Sequence, residues 1–368
     1  MAETTKKNDG LGLQKTEGNF QLRGIITGTE KDKFYTEMTT KIGKPMRMVN
    51  FGVEIDKGKT IYVNLNGMEK ETVCFSKKEG EGKNKKTVTE KVKWANRFDF
   101  KKDGFKPIGV NVGLEKIVDS TDKEINDKKT LFEYDACKYI GDTAKDGMSV
   151  FIKGKNEFST YNDKHQTKFI PNQVSLCKDV DFEADDFKVV GNFEQTIVFM
   201  GIDKNEDGNF TINAKIVAFN SIEDAEFVID KSDVKLAKTL KTLKPYTAVR
   251  VYGNIVVEHD IDEVEDEDDG WGAKNPMERI NNPTKRTLVV IGAYKDSVDT
   301  DTYSEEIIDK AIAKSKASKT ADKDFGSNDE DWGTVSDNDE DWGTVSDNDE
   351  DWGTVSDKDI TDDDDKWD

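Results

Sequence analysis

Two segments of the chain combine aromatic and cationic side chains at the alternating spacing of a β-strand. In SVFIKGK, a period of two places Val150 and Ile152 on an inner face. The outer face of this segment then carries Phe151, Lys153 and Lys155. In VRVYG, the same alternation places Arg250 and Tyr252 outside. Such a ring can stack on a nucleobase while neighbouring cations neutralise phosphates, or it can pack under a loop or against another domain.

Two further surfaces carry the same kinds of side chain. Tyr62 lies between Ile61 and Val63 in TIYVNLNG, so alternation places its ring outside. Residues 76–97 form a lysine- and glycine-rich stretch whose candidate contacts are Lys77, Lys78, Lys83, Lys85, Lys86, Lys93, Trp94 and Arg97. We interpret this stretch as a long hairpin or loop that closes over a bound polyanion. The alternative is a solvated loop with Trp94 buried at its root.

The pattern around these residues is that of short β-strands. FQLRGIITG, MRMVNFGVEI and TIYVNLNG are rich in β-branched and aromatic residues and are separated by glycine and charged residues. From residue 182 the chain repeats the arrangement with three strand-like runs, the helical KLAKTLKTLKP, and the strand-like TAVRVYGNIVVEHD and TKRTLVVIGAY. Three strands, a helix and two strands is the element order of an OB barrel. The sequence therefore predicts a mainly β chain with two tandem OB-type β-barrels.

Composition sets the expected boundaries of these units. Apolar residues make up 34% of the chain and charged residues 36%, which is too few apolar residues for a chain that is folded throughout. We expect a disordered arm over residues 1–18, a first OB-type domain over 19–181 with the lysine-rich insertion 76–97, a second over 182–297, a helical linker over 298–320, and a disordered acidic tail over 321–368. The linker is predicted to be helical because Thr302 and Glu305 have the spacing of a capping box.

The acidic residues are concentrated in two places. The net charge of the chain is −21, but residues 321–368 alone hold 20 acidic residues and 3 lysines. Nine more acidic residues lie between Glu258 and Asp269, and the remainder of the chain has a small excess of basic residues. Because binding of a polyanion depends on the local potential, the overall negative charge does not exclude nucleic acid as a partner.

At two places the sequence resembles the bacterial and phage single-stranded DNA-binding proteins. In that family the fourth OB strand reads approximately apolar-x-apolar-x-Gly and continues into a loop with a tyrosine. The residues that match are Val150, Ile152, Gly154 and Tyr161, and in the second block Val249, Val251 and Gly253. The resemblance implies a non-catalytic protein that coats single-stranded DNA in replication, recombination and repair, with Tyr161 among its DNA contacts. It also implies a cytoplasmic location, in the host cytoplasm if the protein is phage-encoded.

The acidic tail contains regularly spaced tryptophans. The sequence DEDWGTVSDN recurs, and the tail tryptophans are Trp332, Trp342, Trp352 and Trp367. Members of the family that the chain resembles commonly have a disordered acidic tail ending in an aromatic residue, which recruits replication proteins and competes with DNA. Here Asp368 follows the last tryptophan. We therefore expect each tryptophan to be a docking anchor, with the acids steering a basic partner. The alternative is a solubilising tail expanded by repeat slippage.

Other function classes find little support in the sequence. The motifs GxxxxGK[ST], HExxH and GxSxG do not occur, so no enzyme is predicted. Three widely spaced cysteines and two histidines predict neither a metal site nor a cofactor, and DKNEDGNFTINA lacks the last ligand of a calcium loop. The sequence has no run of about 18 apolar residues, so no membrane helix is predicted. The N-terminal MAETTKKNDG is not expected to be a secretory signal. The main rival is a scaffold protein whose barrels bind protein or sugar and whose tail mimics nucleic acid.

Removal of residues 321–368 should tighten binding to single-stranded DNA. The tail is a tethered polyanion at high effective concentration, so it competes with DNA for a cationic groove even when its own affinity is weak. The gain, roughly tenfold at low salt, should shrink at high salt because the competition is then screened. Fluorescence anisotropy with labelled oligo-dT measures both affinities. Equal affinity of the full-length and truncated proteins at low salt would refute the competition.

Overall fold

The computed structural model describes residues 10–80, 86–118, 120, 122–161, 164–259 and 284–324, and within these ranges the chain is mainly β. The strands of the first half are β1 (Gly18–Thr27), β2 (Tyr35–Thr39), β3 (Pro45–Asp56), β4 (Lys59–Met68), β5 (Thr72–Glu79), β6 (Lys86–Lys93), β7 (Lys106–Pro107), β8 (Val110–Gly113), β9 (Lys116–Val118), β10 (Glu124–Asn126), β11 (Lys129–Leu131), β12 (Ser149–Tyr161) and β13 (Lys164–Leu176). Those of the second half are β14 (Val190–Lys204), β15 (Phe210–Val217), β16 (Ile222–Ile229), β17 (Thr247–His259) and β18 (Thr284–Ala293). The helices are α1 (Glu133–Thr143), α2 (Val234–Leu240) and α3 (Glu305–Asp324).

Five strands of the first half pair in a closed circuit. β1 is antiparallel to β3, and β3 is antiparallel to β4. β4 lies parallel to β13 where Val63 faces Phe169, β13 is antiparallel to β12, and β12 returns to β1. β2 pairs with the outer part of β3. α1 lies between β4 and β12 in the chain and packs Cys137 and Ile140 into the core of this first circuit.

Five strands of the second half repeat this circuit. β14 is antiparallel to β15, and β15 is antiparallel to β16. β16 lies parallel to β18 where Val228 faces Val289, β18 is antiparallel to β17, and β17 returns to β14. α2 lies between β16 and β17 in the chain and packs Ala237 and Leu240 inward. The second circuit therefore has the same element order as the first, and it is the order that the sequence predicts.

A glycine at the same place in each circuit accompanies a shift in strand register. Gly154 on β12 faces Phe20 on β1, and Gly253 on β17 faces Phe193 on β14. The pairing of β12 with β13 and of β17 with β18 shifts register at these glycines. A Cβ atom would lie 2.1 Å from a backbone oxygen of the neighbouring strand at Gly154 and 1.9 Å at Gly253. The repeated apolar-x-apolar-x-Gly motif thus has a steric cause, because only glycine fits where two backbones approach this closely.

The two circuits are joined edge to edge by β1 and β14. These strands run antiparallel over residues 18–23 and 190–195, with Phe20 opposite Phe193. A sheet with the strand order β13, β12, β1, β14, β17, β18 therefore passes through both circuits. Both phenylalanines are buried, and one continuous apolar core extends through the two circuits.

Side chains of each circuit also pack against the other circuit. Phe158 on β12 packs against Phe227 on β16, with ring centroids 5.9 Å apart. In the opposite direction, Ile55 on β3 approaches β14 so closely that a Cβ at Gly191 would lie 2.8 Å from its Cδ1. These contacts make the two circuits one packing unit.

The residues between β4 and α1 add strands outside the first circuit, some in two smaller sheets and some that extend the sheet of the circuit itself. β5 pairs with β6 and β7 over a cluster that contains Phe75, Trp94, Phe100, Phe105 and Phe132. β8 pairs with β13 and β11, and β9 forms a hairpin with β10. The insertion is therefore longer than the predicted residues 76–97. We call the part built by β5, β6 and β7 the satellite sheet.

Both ends of the described chain pack against the second circuit, and the predicted helix of the linker is present. Residues 10–17 belong to the expected disordered arm, yet Leu11 N and Thr16 N donate hydrogen bonds to Phe219 O and Val217 O. Part of the expected linker is α3, whose Ile308 is buried against the second circuit. The N-terminal residues and α3 have few apolar side chains, but these pack together in one small cluster against the second circuit. The expected boundary near residue 181 lies in the connection between β13 and β14.

Replacement of Gly253 by alanine should destabilise the protein. The added methyl group would meet the backbone of β18 at 1.9 Å, so the strands must separate or shift. We expect the free energy of unfolding to fall by about 1–3 kcal/mol. Gly201→Ala on β14 is a matched control, since a Cβ there meets nothing within 4 Å. Urea denaturation followed by circular dichroism measures both variants, and equal stability of the two would contradict this account.

Candidate nucleic-acid interface

The outer face of the joined sheet brings several predicted residues together across both circuits. Lys155 on β12 is opposite Asn19 on β1, Asn19 is opposite Glu194 on β14, and Glu194 is opposite Tyr252 on β17. Opposed residues of antiparallel strands share a face, so Lys155 and Tyr252 lie on one surface about 14 Å apart, three strand spacings. Lys153 occupies the same face two residues away, and both lysines are exposed. This polar surface is called the sheet face below.

Arg250 and Tyr252 on the sheet face are engaged with their neighbours. Arg250 Nε lies 3.6 Å from Glu194 Oε2, and Tyr294 Oη donates a 2.5 Å hydrogen bond to Glu194 Oε1. The rings of Tyr252 and Tyr294 are 5.1 Å apart, and the Tyr252 phenol covers Gly292, where a Cβ would meet its Oη at 2.2 Å. Burial and the hydrogen bond to Glu194 raise the pKa of Tyr294 above its usual range. Glu194 therefore compensates part of the cationic charge of Arg250.

Phe151 was expected on the outer face as an exposed ring, and the structure shows it buried. Its side chain is only 6% exposed, although its strand neighbours Val150 and Ile152 point into the core as predicted. Lys153 Nζ lies 5.4 Å from the centroid of the Phe151 ring. The alternation was correct, but the outer side of this strand is covered at Phe151. This ring is not available to stack on a base.

Among the predicted aromatic residues of the first circuit whose side chains the structure describes, Tyr62 is the most exposed. Its side chain is 43% exposed on the outer face of β3 and β4, where it is opposite Gly52. Lys31 Nζ, from the loop between β1 and β2, lies 5.6 Å from the centroid of the ring. This arrangement combines an accessible ring with a cation, as base stacking with phosphate neutralisation requires.

Amide side chains lie beside Tyr62 on the outer face of β3 and β4. Asn64 Nδ2 donates a hydrogen bond of 2.5 Å to Asn50 Oδ1 across β3 and β4, and Asn66 follows on the same face of β4. Amides can donate to and accept from base edges and phosphates without repelling a polyanion. The outer surface of β3 and β4 around Tyr62, Asn50, Asn64 and Asn66 is called the tyrosine face below.

Trp94 and Arg97 have structural partners in the satellite sheet. Arg97 Nε and Nη2 donate to the two carboxylate oxygens of Asp135 at 2.9 and 3.0 Å, and Nη1 donates to Trp94 O at 3.1 Å. The guanidinium also lies 3.9 Å from the centroid of the Trp94 ring, and the ring packs against Phe132 and Tyr134. The Arg97 side chain is 12% exposed. The alternative that placed Trp94 at the root of the hairpin agrees with these contacts.

The remaining predicted residues fall into two groups. Lys78, Lys86 and Lys93 are exposed on β5 and β6. Lys77 is half-buried, and its Nζ lies 3.5 Å from Glu79 Oε1. Outside the described residues lie Lys83, Lys85, the Tyr161 side chain, Trp332, Trp342, Trp352 and Trp367. The predicted residues are thus divided among the sheet face, the tyrosine face and the satellite sheet.

Sequence reasoning missed residues that support the two faces. Lys31 lies in a loop and has no periodic pattern around it, so only the fold reveals its approach to Tyr62. Tyr294 and Glu194 are separated by a hundred residues in the chain, and their hydrogen bond follows from the pairing of β17 with β14 and β18. A count of alternating residues could place Glu194 on the outer side of β14, but not beside Arg250.

Metal ligation and thiol chemistry find no support in the described residues. No group of three or more His, Cys, Asp or Glu side chains in these ranges is arranged to hold a metal ion. Cys74, Cys137 and Cys177 do not form disulfides, and burial raises the pKa of the Cys137 thiol above its usual range. The described helices also include none that is long and apolar enough to cross a membrane.

Replacement of Arg97 by methionine should lower stability. It would leave the largely buried Asp135 carboxylate without its bidentate partner, at a cost of roughly 3 kcal/mol in the free energy of unfolding. Lys102→Met is the matched control, because Lys102 pairs with Glu90 on the exposed side of the same sheet and should matter by less than about 1 kcal/mol. Urea unfolding measures both. A similar loss of unfolding free energy in the two variants would show that the Arg97–Asp135 pair stabilises the protein no more than an exposed ion pair does.

The chain was compared with solved structures and with curated proteins. A deletion mutant of the single-stranded DNA binding protein from Thermus aquaticus has a TM-score of 0.36 and 8% sequence identity, with 79% of this chain and 98% of that chain covered. The wild-type protein from the same organism has a TM-score of 0.35 and 9% identity, with 76% and 93% covered. No curated protein matches the sequence.

One family model matches most of the chain. The match extends over residues 79–327, from the end of β5 through α3. It includes the second half of the first circuit and the whole second circuit. The chain therefore belongs to the YorF family.

Proposed function

We propose that this protein binds single-stranded DNA non-catalytically and that its two strand circuits are tandem OB-type barrels. The pairing order supports the barrel assignment, because each circuit begins with a three-strand meander and closes through a parallel contact between its third and fifth strands. Each circuit also has its helix between the third and fourth strands. Strands two and three of such a barrel form the face that binds oligonucleotides.

The observation that carries the proposal is the exposed Tyr62 beside Lys31 on that face. In the first circuit, strands two and three are β3 and β4, and Tyr62 is the aromatic residue on their outer side. Stacking of one base on an aromatic side chain is worth about 1–3 kcal/mol and tolerates any base. Lys31 lies close enough to the ring to reach a phosphate next to the stacked base. The face thus fits a flexible single strand whose bases are free to leave their own stack.

The sheet face offers a second, weaker contribution. Lys153 and Lys155 are exposed on β12 and can attract phosphates, while Arg250 is held partly by Glu194. Each phosphate neutralised on a single strand contributes a slope of about −0.7 to the salt dependence of the affinity. We propose that these lysines contribute to the affinity without contacting bases.

The wider biological role remains part of the proposal. By coating single strands, the protein would protect DNA that is exposed in replication and recombination. We interpret the protein as phage-encoded. The tail tryptophans would recruit replication or recombination proteins, because several near-identical anchors on one flexible acidic segment raise the effective concentration for a basic partner. The described faces and the tail sequence would then serve separate tasks.

Tyr62→Ala should weaken the binding of oligo-dT by about 5- to 150-fold, since losing the stacking of one base costs about 1–3 kcal/mol. Tyr62→Phe should bind as the wild type does, because the aromatic face is retained. Phe98→Ala is a matched control that removes an aromatic side chain, 64% exposed, from the satellite sheet. Fluorescence anisotropy at fixed salt measures all three. Unchanged affinity of Tyr62→Ala for oligo-dT, or an equal loss of affinity in Phe98→Ala, would contradict the assignment of the tyrosine face as the binding surface.

A further inference from the structure

The repetition of the circuit allows equivalent positions of the two halves to be compared residue by residue. Phe20 faces Gly154 in the first circuit, as Phe193 faces Gly253 in the second. Five residues after its phenylalanine, each strand again has an equivalent partner. Ile25 faces Glu54 in the first circuit, and Val198 faces Lys215 in the second. The registers of the circuits therefore correspond.

This correspondence shows which residue occupies the place of Tyr62 in the second circuit. Two residues before Glu54 is Gly52, which is opposite Tyr62. Two residues before Lys215 is Asn213, which is opposite Glu226. A carboxylate thus occupies the position of the exposed tyrosine. The surface of β15 and β16 around Asn213, Lys215, Asp224 and Glu226 is called the glutamate face below.

The charge of the glutamate face is unfavourable to nucleic acid. Its lysine, Lys215, is already paired with Asp224, with Nζ 2.7 Å from Oδ1. Asp203 lies at its edge and accepts a 2.8 Å hydrogen bond from Asn213 Nδ2. The carboxylate of Glu226 remains exposed at the centre of the face. A phosphate placed here would meet like charge where the tyrosine face offers Lys31.

The first circuit also approaches the glutamate face. His165, at the start of β13, lines a cavity of about 230 Å³ together with Met200, Asn213, Lys215, Asp224 and Glu226. The neighbouring Phe158 packs on Phe227, whose buried side chain points to the inner side of β16. The β12–β13 hairpin of the same chain therefore borders the glutamate face at His165.

We infer that only one of the two equivalent faces built by second and third strands binds the bases of single-stranded DNA: the tyrosine face does, and the glutamate face of the second barrel does not. The inference rests on the proposed function and specifies which of the two repeated surfaces performs it. The glutamate face borders the β12–β13 hairpin of the first barrel at His165. The second barrel thereby fixes the position of the first and holds α3 and the N-terminal residues 10–17.

The test is the stoichiometry of a short oligonucleotide on the full-length protein. An oligo-dT of about 8 nucleotides is within the range that one OB barrel occupies. Isothermal titration calorimetry should give one oligonucleotide per chain, and Tyr62→Ala should lower the affinity at least about fivefold with no residual site of wild-type affinity. Glu226→Ala should retain one oligonucleotide per chain. Thermal unfolding midpoints equal to that of the wild type would show that the variants are folded, since both side chains are exposed.

The outcomes separate this inference from the proposed function. Failure of the wild type to bind oligo-dT would overturn the proposed function and the inference with it. Two oligonucleotides per chain, with one retained in Tyr62→Ala, would leave the function standing and overturn the single-face inference. Loss of a bound oligonucleotide in Glu226→Ala would likewise overturn it, because the glutamate face would then contact DNA. One site that Tyr62→Ala removes and Glu226→Ala leaves intact would support it.

Discussion

The antiparallel pairing of β1 with β14 is the interaction on which the rest of the structure depends. At one end of it, a Cβ at Gly18 would lie 1.6 Å from Gln195 Oε1. Gln195 is 1% exposed and donates hydrogen bonds to the carbonyl oxygens of Thr16, Glu17 and Thr196. Since a buried amide left unpaired is costly, this junction holds the N-terminal segment and both circuits in a single arrangement. The sheet face exists only because these two strands meet.

The order of elements could be predicted from the sequence, but their pairing could not. Alternating apolar residues predicted the strands and the helix of the second block in the order found for β14 to β18. Alternation predicts which side of a strand is buried but does not predict which strand pairs with it. The pairing of β1 with β14 was therefore missed. α1 was missed as well. Its sequence EYDACKYIGDT has modest helix propensity, and packing of Cys137 and Ile140 decides its conformation.

The same limit explains which candidate residues were predicted well. Tyr62 and Phe151 have the same pattern of an aromatic residue between two buried neighbours, yet one is exposed and the other is covered. Arg97 looked like part of a cationic loop, and only the fold brings Asp135 beside it. Sequence periodicity gives the direction of a side chain. Its availability depends on distant segments that contact it, and those follow from the tertiary structure.

The two circuits have equivalent residues at buried positions and different residues at solvent-exposed positions. Phe20 and Phe193 are equivalent, as are Gly154 and Gly253, because a change at a buried or backbone-contacting position costs up to several kcal/mol. Tyr62 and Glu226 are also equivalent in register, but an exposed residue can be exchanged at a cost within about 0.5 kcal/mol. The fold therefore constrains the two outer faces very little. Their opposite character, aromatic with a cation in one and anionic in the other, must be explained by what each face contacts.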